Sequence, residues 1–200
     1  IKIKNMLSLK NSLAVLKKTE ALIEGHFILS SGLHSAQYVQ CAKLLSHPHK
    51  AEKLCKSLAF KIKKKFKNID LILAPAIGGI IIGYEIGKIL KKETIFCERV
   101  KGKFFLRRGF KIKKGSKVLI IEDVITTGKS SMECVNLIKK AKANHVGFAT
   151  IIDRSNKKSL KIKKKIISQI KINVPTYKKN KLPKNLSMIA ISTPGSRFIK

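Results

Sequence analysis

The sequence predicts an α/β protein built on an open, mostly parallel sheet with helices flanking it. Three observations carry this. Apolar runs such as Leu71-Ile72-Leu73-Ala74 and Val118-Leu119-Ile120-Ile121 have strand length and no polar alternation, as strands buried on both faces do. They alternate along the chain with longer segments whose apolar residues recur at helical spacing. Glycine- or hydroxyl-rich turns stand where strand gives way to helix, at the carboxyl ends where open sheets bind ligands.

In chain order, Asn11 to Ile23 carries Leu13, Val15, Leu16, Ala21 and Leu22 at spacings that predict an amphipathic helix. Phe27 to Gln40 alternates around Ser30-Ser31-Gly32 and predicts a hairpin. Pro48 stands near the start of a second helix, His49 to Lys65, with Leu54, Leu58, Ala59 and Ile62 on one face. Asp70 to Ala74 is a buried strand, and Pro75-Ala76-Ile77-Gly78-Gly79 leads from it into a helix over Ile80 to Leu90. Thr94 to Glu98, Val118 to Asp123 and His145 to Asp153 are further strands, with a helix from Ser131 to Ala143. The C-terminal stretch, punctuated by Pro175, Pro183 and Pro194, reads as mostly loop with short strands or helical turns.

The stretch Val118 to Ser130 holds the densest chemistry. An apolar strand ends in Glu122-Asp123, then Val124-Ile125 lead to Thr126-Thr127-Gly128-Lys129-Ser130 and a helix. Such a turn collects backbone N–H groups and hydroxyls at the positive end of a helix dipole, which suits a phosphate dianion. Two carboxylates beside it can accept hydrogen bonds from a sugar diol or attract a metal ion. The same pattern also fits an ordinary strand-to-helix turn with solvated acids. Gly128-Lys129-Ser130 resembles the end of a P-loop, but that motif needs glycine where Asp123 stands, so a P-loop is excluded. Gly78-Gly79 allows close approach of backbone amides to an anion, and equally allows tight helix–strand packing.

The acid pair followed by Thr-Thr-Gly resembles the phosphoribosyl-pyrophosphate (PRPP) signature of type I phosphoribosyltransferases. Gly25 to Ser35, with Tyr38-Val39-Gln40, is similar to the N-terminal hairpin of orotate phosphoribosyltransferases. Phe96-Cys97-Glu98-Arg99 through Leu106-Arg107-Arg108-Gly109-Phe110 resembles the mobile-loop region of their shorter-loop class, and Pro194-Gly195-Ser196-Arg197 fits as well. The similarity runs from about Leu13 to Arg197 with its blocks in the family's order.

The resemblance implies the type I phosphoribosyltransferase fold. It implies one domain over residues 1–200, in which roughly residues 1–45 and the C-terminal segment contribute a small hood subdomain. The implied reaction transfers ribose 5-phosphate from PRPP to orotate, giving orotidine 5′-phosphate and pyrophosphate in pyrimidine biosynthesis. Thr126, Thr127, Gly128, Lys129 and Ser130 would cradle the 5′-phosphate, with Val124 and Ile125 in the same segment. Glu122 and Asp123 would hold the ribose hydroxyls and support positive charge developing at the sugar, with Asp123 as the catalytic candidate of the two. Ile77, Gly78 and Gly79 would contact the pyrophosphate. Arg99, Lys101 and Lys103 are candidates to assist its departure, from a basic loop or hairpin able to close over it. Thr126 and Arg154 would bind orotate, Arg154 through a bidentate fork on the carboxylate. Ser30 stands at a position that is lysine in the longer-loop class, and Tyr38 is either a base-stacking residue or part of the hairpin core. Mg²⁺ is the implied cofactor, held mainly by PRPP rather than by protein ligands, and a homodimer is the implied assembly.

Bulk properties agree with such an enzyme. A hydrophobic content of 44% is ordinary for a globular chain. No apolar run approaches the roughly 20 residues that span a bilayer, and the start lacks a signal peptide's apolar region, so a soluble cytoplasmic protein is expected. The net charge of +33 invites a nucleic-acid partner. The lysines are nonetheless scattered, arginine is scarce, and aromatics make up only 6%. Ile and Lys rise together, as a compositional bias at tolerant positions produces, and the field would attract polyanionic PRPP. Cys41, Cys55, Cys97 and Cys134 have no metal-type spacing and are expected as free thiols, and His47-Pro48-His49 reads as a loop or helix start. Two other readings are weighed: a transferase of the same fold acting on a purine base, and a PRPP-responsive regulator binding nucleic acid. The hairpin block and Arg154 count against the first, and the scattered charge counts against the second.

Overall fold

A computed structural model of the protein describes residues 6–29, 31–156 and 160–193. Ser30 and the segment Pro194-Gly195-Ser196-Arg197, both singled out from the sequence, lie outside the described residues.

The main sheet has six strands: β3 (Leu71–Pro75), β4 (Glu93–Val100), β5 (Lys103–Leu106), β6 (Lys117–Ile125), β7 (Asn144–Asp153) and β8 (Ile166–Lys171). Their spatial order is β5-β4-β3-β6-β7-β8, parallel throughout except for the antiparallel β4–β5 pair. The lack of polar alternation follows from burial of both faces. Ile72, Leu119, Ile121, Ala149 and Ile151 join one apolar core, which also holds Leu16 of α1 (Leu9–Lys18), Leu58 of α3 (Pro48–Lys65) and Ile82 of α4 (Gly78–Leu90). Their strand neighbours Leu71, Leu73, Val118, Ile120 and Phe148 face a second core with Cys134 and Ile138 of α5 (Lys129–Lys140). Side-chain alternation with a period of two therefore makes a three-layer α/β/α stack.

Connectivity positions the site. From β3 the chain passes through α4 to β4 on one side, and from β6 it passes through α5 to β7 on the other. The strand order thus reverses between β3 and β6, which opens a crevice at their carboxyl ends. A second, four-stranded sheet of order β10-β1-β2-β9 draws on both parts of the chain: β1 (Leu22–Ile28), β2 (His34–Val39), β9 (Thr176–Tyr177) and β10 (Ile191–Ser192). Its strands also feed the first core through Leu22 and Val39. The remaining elements are α2 (Cys41–Leu45), a 3-10 turn at Lys179–Lys181 and α6 (Lys184–Ser187).

Several boundaries depart from the sequence reading. The first helix runs Leu9–Lys18, not Asn11 to Ile23: Ser8 caps it by accepting from the Asn11 N–H at 3.1 Å. It ends because Glu20 adopts a left-handed φ of 52°, so Leu22 opens β1 instead of extending the helix. The helix expected from Ile80 begins at Gly78, which puts the glycine pair in its first turn. The helix expected from Ser131 begins at Lys129, and β6 continues two residues beyond the acids to Ile125. The segment after Phe96 is a regular hairpin closed by two residues. Lys101 and Gly102 both have positive φ, at 47° and 79°, the turn geometry that matches strand twist. Strand β8, which completes the main sheet, was not singled out from the sequence, while the described residues from Pro175 onward are loop with two-residue strands and short helical turns, as expected.

Candidate active site

The crevice between β3 and β6 is built by strand alternation. Adjacent residues of β6 project to opposite faces, so Glu122 and Asp123 point apart. Glu122, only 7% exposed, lies on the α5 side, where Ser131 Oγ donates to its Oε1 at 2.8 Å. Burial pushes its carboxyl up to about 8; the Asp123 charge adds to this, while Ser131 and Arg99 oppose it. Asp123 lies on the α4 side against Gly78, where an added Cβ would fall within 2.7 Å of Asp123 Cγ. Burial raises the Asp123 carboxyl as well, against lowering by the backbone N–H groups of Val124 and of Asp123 itself. The strand behind it is fixed by Thr150 Oγ1, which donates to the Asp123 carbonyl at 2.9 Å. Cys41, at the start of α2, is near enough for the Asp123 charge to add to burial in raising its thiol.

The turn Thr126-Thr127-Gly128 leads into α5. Gly128 has φ 71°, and an added Cβ would lie 2.7 Å from Ile162 Cγ1, so both backbone conformation and packing demand glycine. The strap after β7 braces this turn from below through the Lys161 N–H, which donates to the Thr127 carbonyl at 2.8 Å. Thr126 and Thr127 are exposed, and the Lys129 N–H reaches Thr127 Oγ1 at 3.4 Å. The Thr127 oxygen is thereby an acceptor within the turn, and its O–H is left to donate outward. Lys129 is exposed and is the first residue of α5. The turn thus presents hydroxyls and helix-end amides as an anion cradle.

Ile77, Gly78 and Gly79 follow β3 across the crevice from that turn. The Ala76–Ile77 peptide is cis, and Ile77 is 84% exposed. Gly79 is buried, with an added Cβ falling 3.1 Å from the Ile121 carbonyl oxygen, so helix α4 enters close against β6.

Arg99, at the end of β4, lies at the edge of the cradle. Its Nη1 donates to Glu133 Oε2 at 2.8 Å and to the Gly102 carbonyl at 2.6 Å; its Nη2 reaches Glu133 Oε1 at 3.3 Å and Ser130 Oγ at 3.4 Å. The guanidinium also stacks 4.0 Å over the Phe104 ring. Lys101 in the turn of the same hairpin and Lys103 at the start of β5 are exposed, and their side chains make no hydrogen bond or ion pair with any described residue. On the hairpin's other side Arg108 forms a bidentate pair with Glu98, both bonds 2.9 Å.

Arg154 follows β7, its N–H donating to the Ile125 carbonyl at 2.9 Å. Its guanidinium is half-buried and close enough to Tyr38 of β2 to feel the phenol, while burial lowers its pKa. Tyr38 in turn packs at 5.7 Å against Phe27. The preceding Asp153 is turned away, accepting from Ser155 N and Oγ at 2.9 and 2.6 Å.

The carboxyl ends of β3, β6 and β7 thus bring together Gly78, Glu122, Asp123, the 126–130 turn and Arg154, with Arg99 reaching in from β4. Sequence reasoning missed Ser131 and Glu133. Their place in the first turn of α5 was the available signal, but polar residues there read equally as helix-start residues. Among the described residues no group of three or more His, Cys, Asp and Glu side chains could hold a metal ion. Of the two crevice acids, Glu122 is committed to Ser131, so a cation here would draw most of its oxygens from elsewhere.

Residues 42–181 match the phosphoribosyl transferase domain family. The chain is 47% identical over 184 residues to an orotate phosphoribosyltransferase of Parvibaculum lavamentivorans, covering 92% of this chain and 94% of that protein. It is 44% identical over 184 residues to one from Caldicellulosiruptor saccharolyticus, covering 92% and 95%. Among solved structures, orotate phosphoribosyltransferase from Aeropyrum pernix superposes with a TM-score of 0.68 at 20% identity over 80% of this chain and 92% of that one. Leishmania donovani UMP synthase superposes with a TM-score of 0.69 at 19% identity, over 84% of this chain and 37% of that one. These two share the fold; the closer identities, over nearly the full length, carry more. By them, this chain belongs to the orotate phosphoribosyltransferase family.

Proposed function

We propose that this chain transfers ribose 5-phosphate from PRPP to orotate, releasing pyrophosphate and forming orotidine 5′-phosphate, a step of pyrimidine nucleotide synthesis. The observation that carries this is the convergence of three parts in one crevice. An anion cradle at 126–130, the acids Glu122 and Asp123, and a half-buried guanidinium at Arg154 beside Tyr38 meet at adjacent strand ends. A sugar phosphate with a carboxylated base asks for that combination.

In this reading Thr126, Thr127, Gly128, Lys129 and Ser130 hold the 5′-phosphate, with Val124 and Ile125 supporting the turn. Glu122 and Asp123 hold the ribose hydroxyls, and Asp123 faces the positive charge that develops as the bond from the sugar to pyrophosphate breaks. Ile77, Gly78 and Gly79 receive the pyrophosphate across the crevice. Lys101 and Lys103, exposed at the hairpin turn and free of ion pairs with any described residue, are placed to neutralise it on closure. Arg154 pairs with the orotate carboxylate, Thr126 adds a hydroxyl, and Tyr38 covers the base. Mg²⁺, held mainly by PRPP's own oxygens, supplies further positive charge against the leaving pyrophosphate.

The chain acts as one domain, its four-stranded sheet from residues about 1–45 and the C-terminal segment forming the hood. It works in the cytoplasm as a homodimer; Ile81 and Tyr84 of α4, exposed at 54% and 66%, support an apolar contact between copies. None of the helices among the described residues is long and apolar enough to cross a membrane. The positive field serves PRPP capture rather than nucleic-acid binding. Loss of orotate absorbance on adding PRPP and Mg²⁺ tests the assignment. Turnover by the parent protein that collapses in Asp123→Asn is expected. No turnover of orotate, or turnover of adenine instead, would overturn it.

A further inference from the structure

Arg99 is the most heavily engaged cation at the rim of the site. It makes four hydrogen bonds to three residues and lies on an aromatic face, while the side chains of the neighbouring Lys101 and Lys103 make none among the described residues. A guanidinium so occupied is poorly suited to swing toward a departing pyrophosphate. Its geometry suits a fixed role. Glu133 presents both carboxylate oxygens to its fork, and the hairpin turn receives it through the Gly102 carbonyl. The remaining contact is to Ser130, the last residue of the cradle.

The direction of that last bond matters. Arg99 can only donate, so Ser130 Oγ accepts, and the serine's own O–H is freed to point away from the arginine. Donation into a hydroxyl oxygen polarises its O–H and makes it the stronger donor. Thr127 is treated alike from within the turn, its oxygen accepting from the Lys129 N–H. Ser131 is the contrast: its O–H goes to Glu122 and is not available to a ligand.

We propose that Glu133 is a positioning residue. By clamping Arg99 against Ser130, it orients the cradle's serine and brings a fixed positive charge to the ribose-phosphate end of the site. The inference rests on reading residues 126–130 as the 5′-phosphate cradle. It gives Arg99 a task in binding PRPP and leaves pyrophosphate departure to the lysines of the hairpin turn.

Steady-state kinetics of Glu133→Gln and Arg99→Gln test this, together with calorimetric titration of ribose 5-phosphate, which needs no turnover. Glu133→Gln is expected to raise KM for PRPP by about tenfold, the loss of one partly exposed charge-assisted pair, with kcat and KM for orotate within about twofold. Ribose 5-phosphate affinity should fall by a similar factor. Adding Glu133→Gln to Arg99→Gln should cost little more than Arg99→Gln alone, because the carboxylate acts through the guanidinium. Unchanged or lowered KM for PRPP, unchanged ribose 5-phosphate affinity, or full additivity in the double variant would each overturn the proposal. If the parent protein fails to turn over orotate, the functional assignment falls, and the ribose 5-phosphate titration still decides the role of Glu133.

Discussion

Ser131 Oγ donates to Glu122 Oε1 at 2.8 Å inside the junction of β6 and α5, and it is the only side-chain hydrogen bond Glu122 makes among the described residues. One hydroxyl does not replace the hydration that burial removes, so the carboxyl is pushed up to about 8 from 4.5. Between those values the folded protein holds a proton that the unfolded chain has lost. Stability therefore falls as pH rises through this window, by at most about 1.4 kcal/mol per pH unit. His145 works the other way: burial lowers it to about 4 from 6.5, so its contribution grows as pH rises to 6.5. The two oppose each other below 6.5, and Glu122 acts without that offset above it.

Urea melts of the parent and Glu122→Gln at pH 6.5 and pH 8 isolate the effect. The variant should gain stability relative to the parent as pH rises, while its activity drops because an amide has only one acceptor oxygen to share between Ser131 and the ribose hydroxyls. Equal pH dependence in the two proteins would show that Glu122 is not held protonated by its surroundings.

Gly78 and Asp123 make a second coupled pair. A Cβ at position 78 would collide with the Asp123 carboxylate, the movable end of a side chain rather than backbone. Gly78→Ala should therefore displace the acid at little cost to the fold. We expect kcat to fall by about tenfold or more, a single misplaced transition-state contact, with a melting temperature close to the parent's. Kinetics and thermal melts read the two effects separately, and a large loss of stability with normal kcat would contradict this account.

Gly128 meets two demands at once. Its φ of 71° disfavours any Cβ, and that Cβ would lie 2.7 and 2.8 Å from Cγ1 and Cδ1 of Ile162. Gly128→Ala should destabilise by on the order of 2 kcal/mol from left-handed strain plus overpacking. In the Ile162→Ala background the overpacking part should vanish while the strain remains. Comparing Gly128→Ala in the two backgrounds by denaturant melts separates them; equal penalties would show that the strap does not press on the cradle.

What could be read from the chain differs by region for physical reasons. Strands β3, β6 and β7 were legible because burial on both faces leaves an uninterrupted apolar signature, and Glu122-Asp123 stood out at the end of one. Strand β8 was not, because Ile166-Ile167-Ser168-Gln169-Ile170 lies at the sheet edge among lysines that mask it. The end of α1 was misread because Ala21 and Leu22 continue the helical spacing, and only a backbone reversal at Glu20 breaks it. The Arg99–Glu133 clamp joins residues 34 apart in sequence that no local pattern pairs. Tertiary folding alone makes them neighbours, so the rim of the site was the part least visible beforehand.

Arg154 offers the sharpest test of base recognition. The guanidinium is half-buried beside Tyr38 and makes no side-chain hydrogen bond among the described residues, so a carboxylate would find its fork unclaimed. A charge-assisted fork in a partly desolvated setting contributes roughly 2–3 kcal/mol, so Arg154→Gln should raise KM for orotate about 30- to 150-fold. Arg154→Lys should recover only part of this, since a point charge cannot reproduce two parallel bonds. KM for PRPP should stay within about threefold in both variants, because the guanidinium serves the base rather than the sugar phosphate. Uracil, the same ring without the carboxylate, supplies the internal control. The parent should prefer orotate strongly, and Arg154→Gln should lose most of that preference by losing orotate rather than by gaining uracil. Should the preference survive in Arg154→Gln, the carboxylate must be read by another group, and the half-buried guanidinium would be left a structural role between β2 and β7.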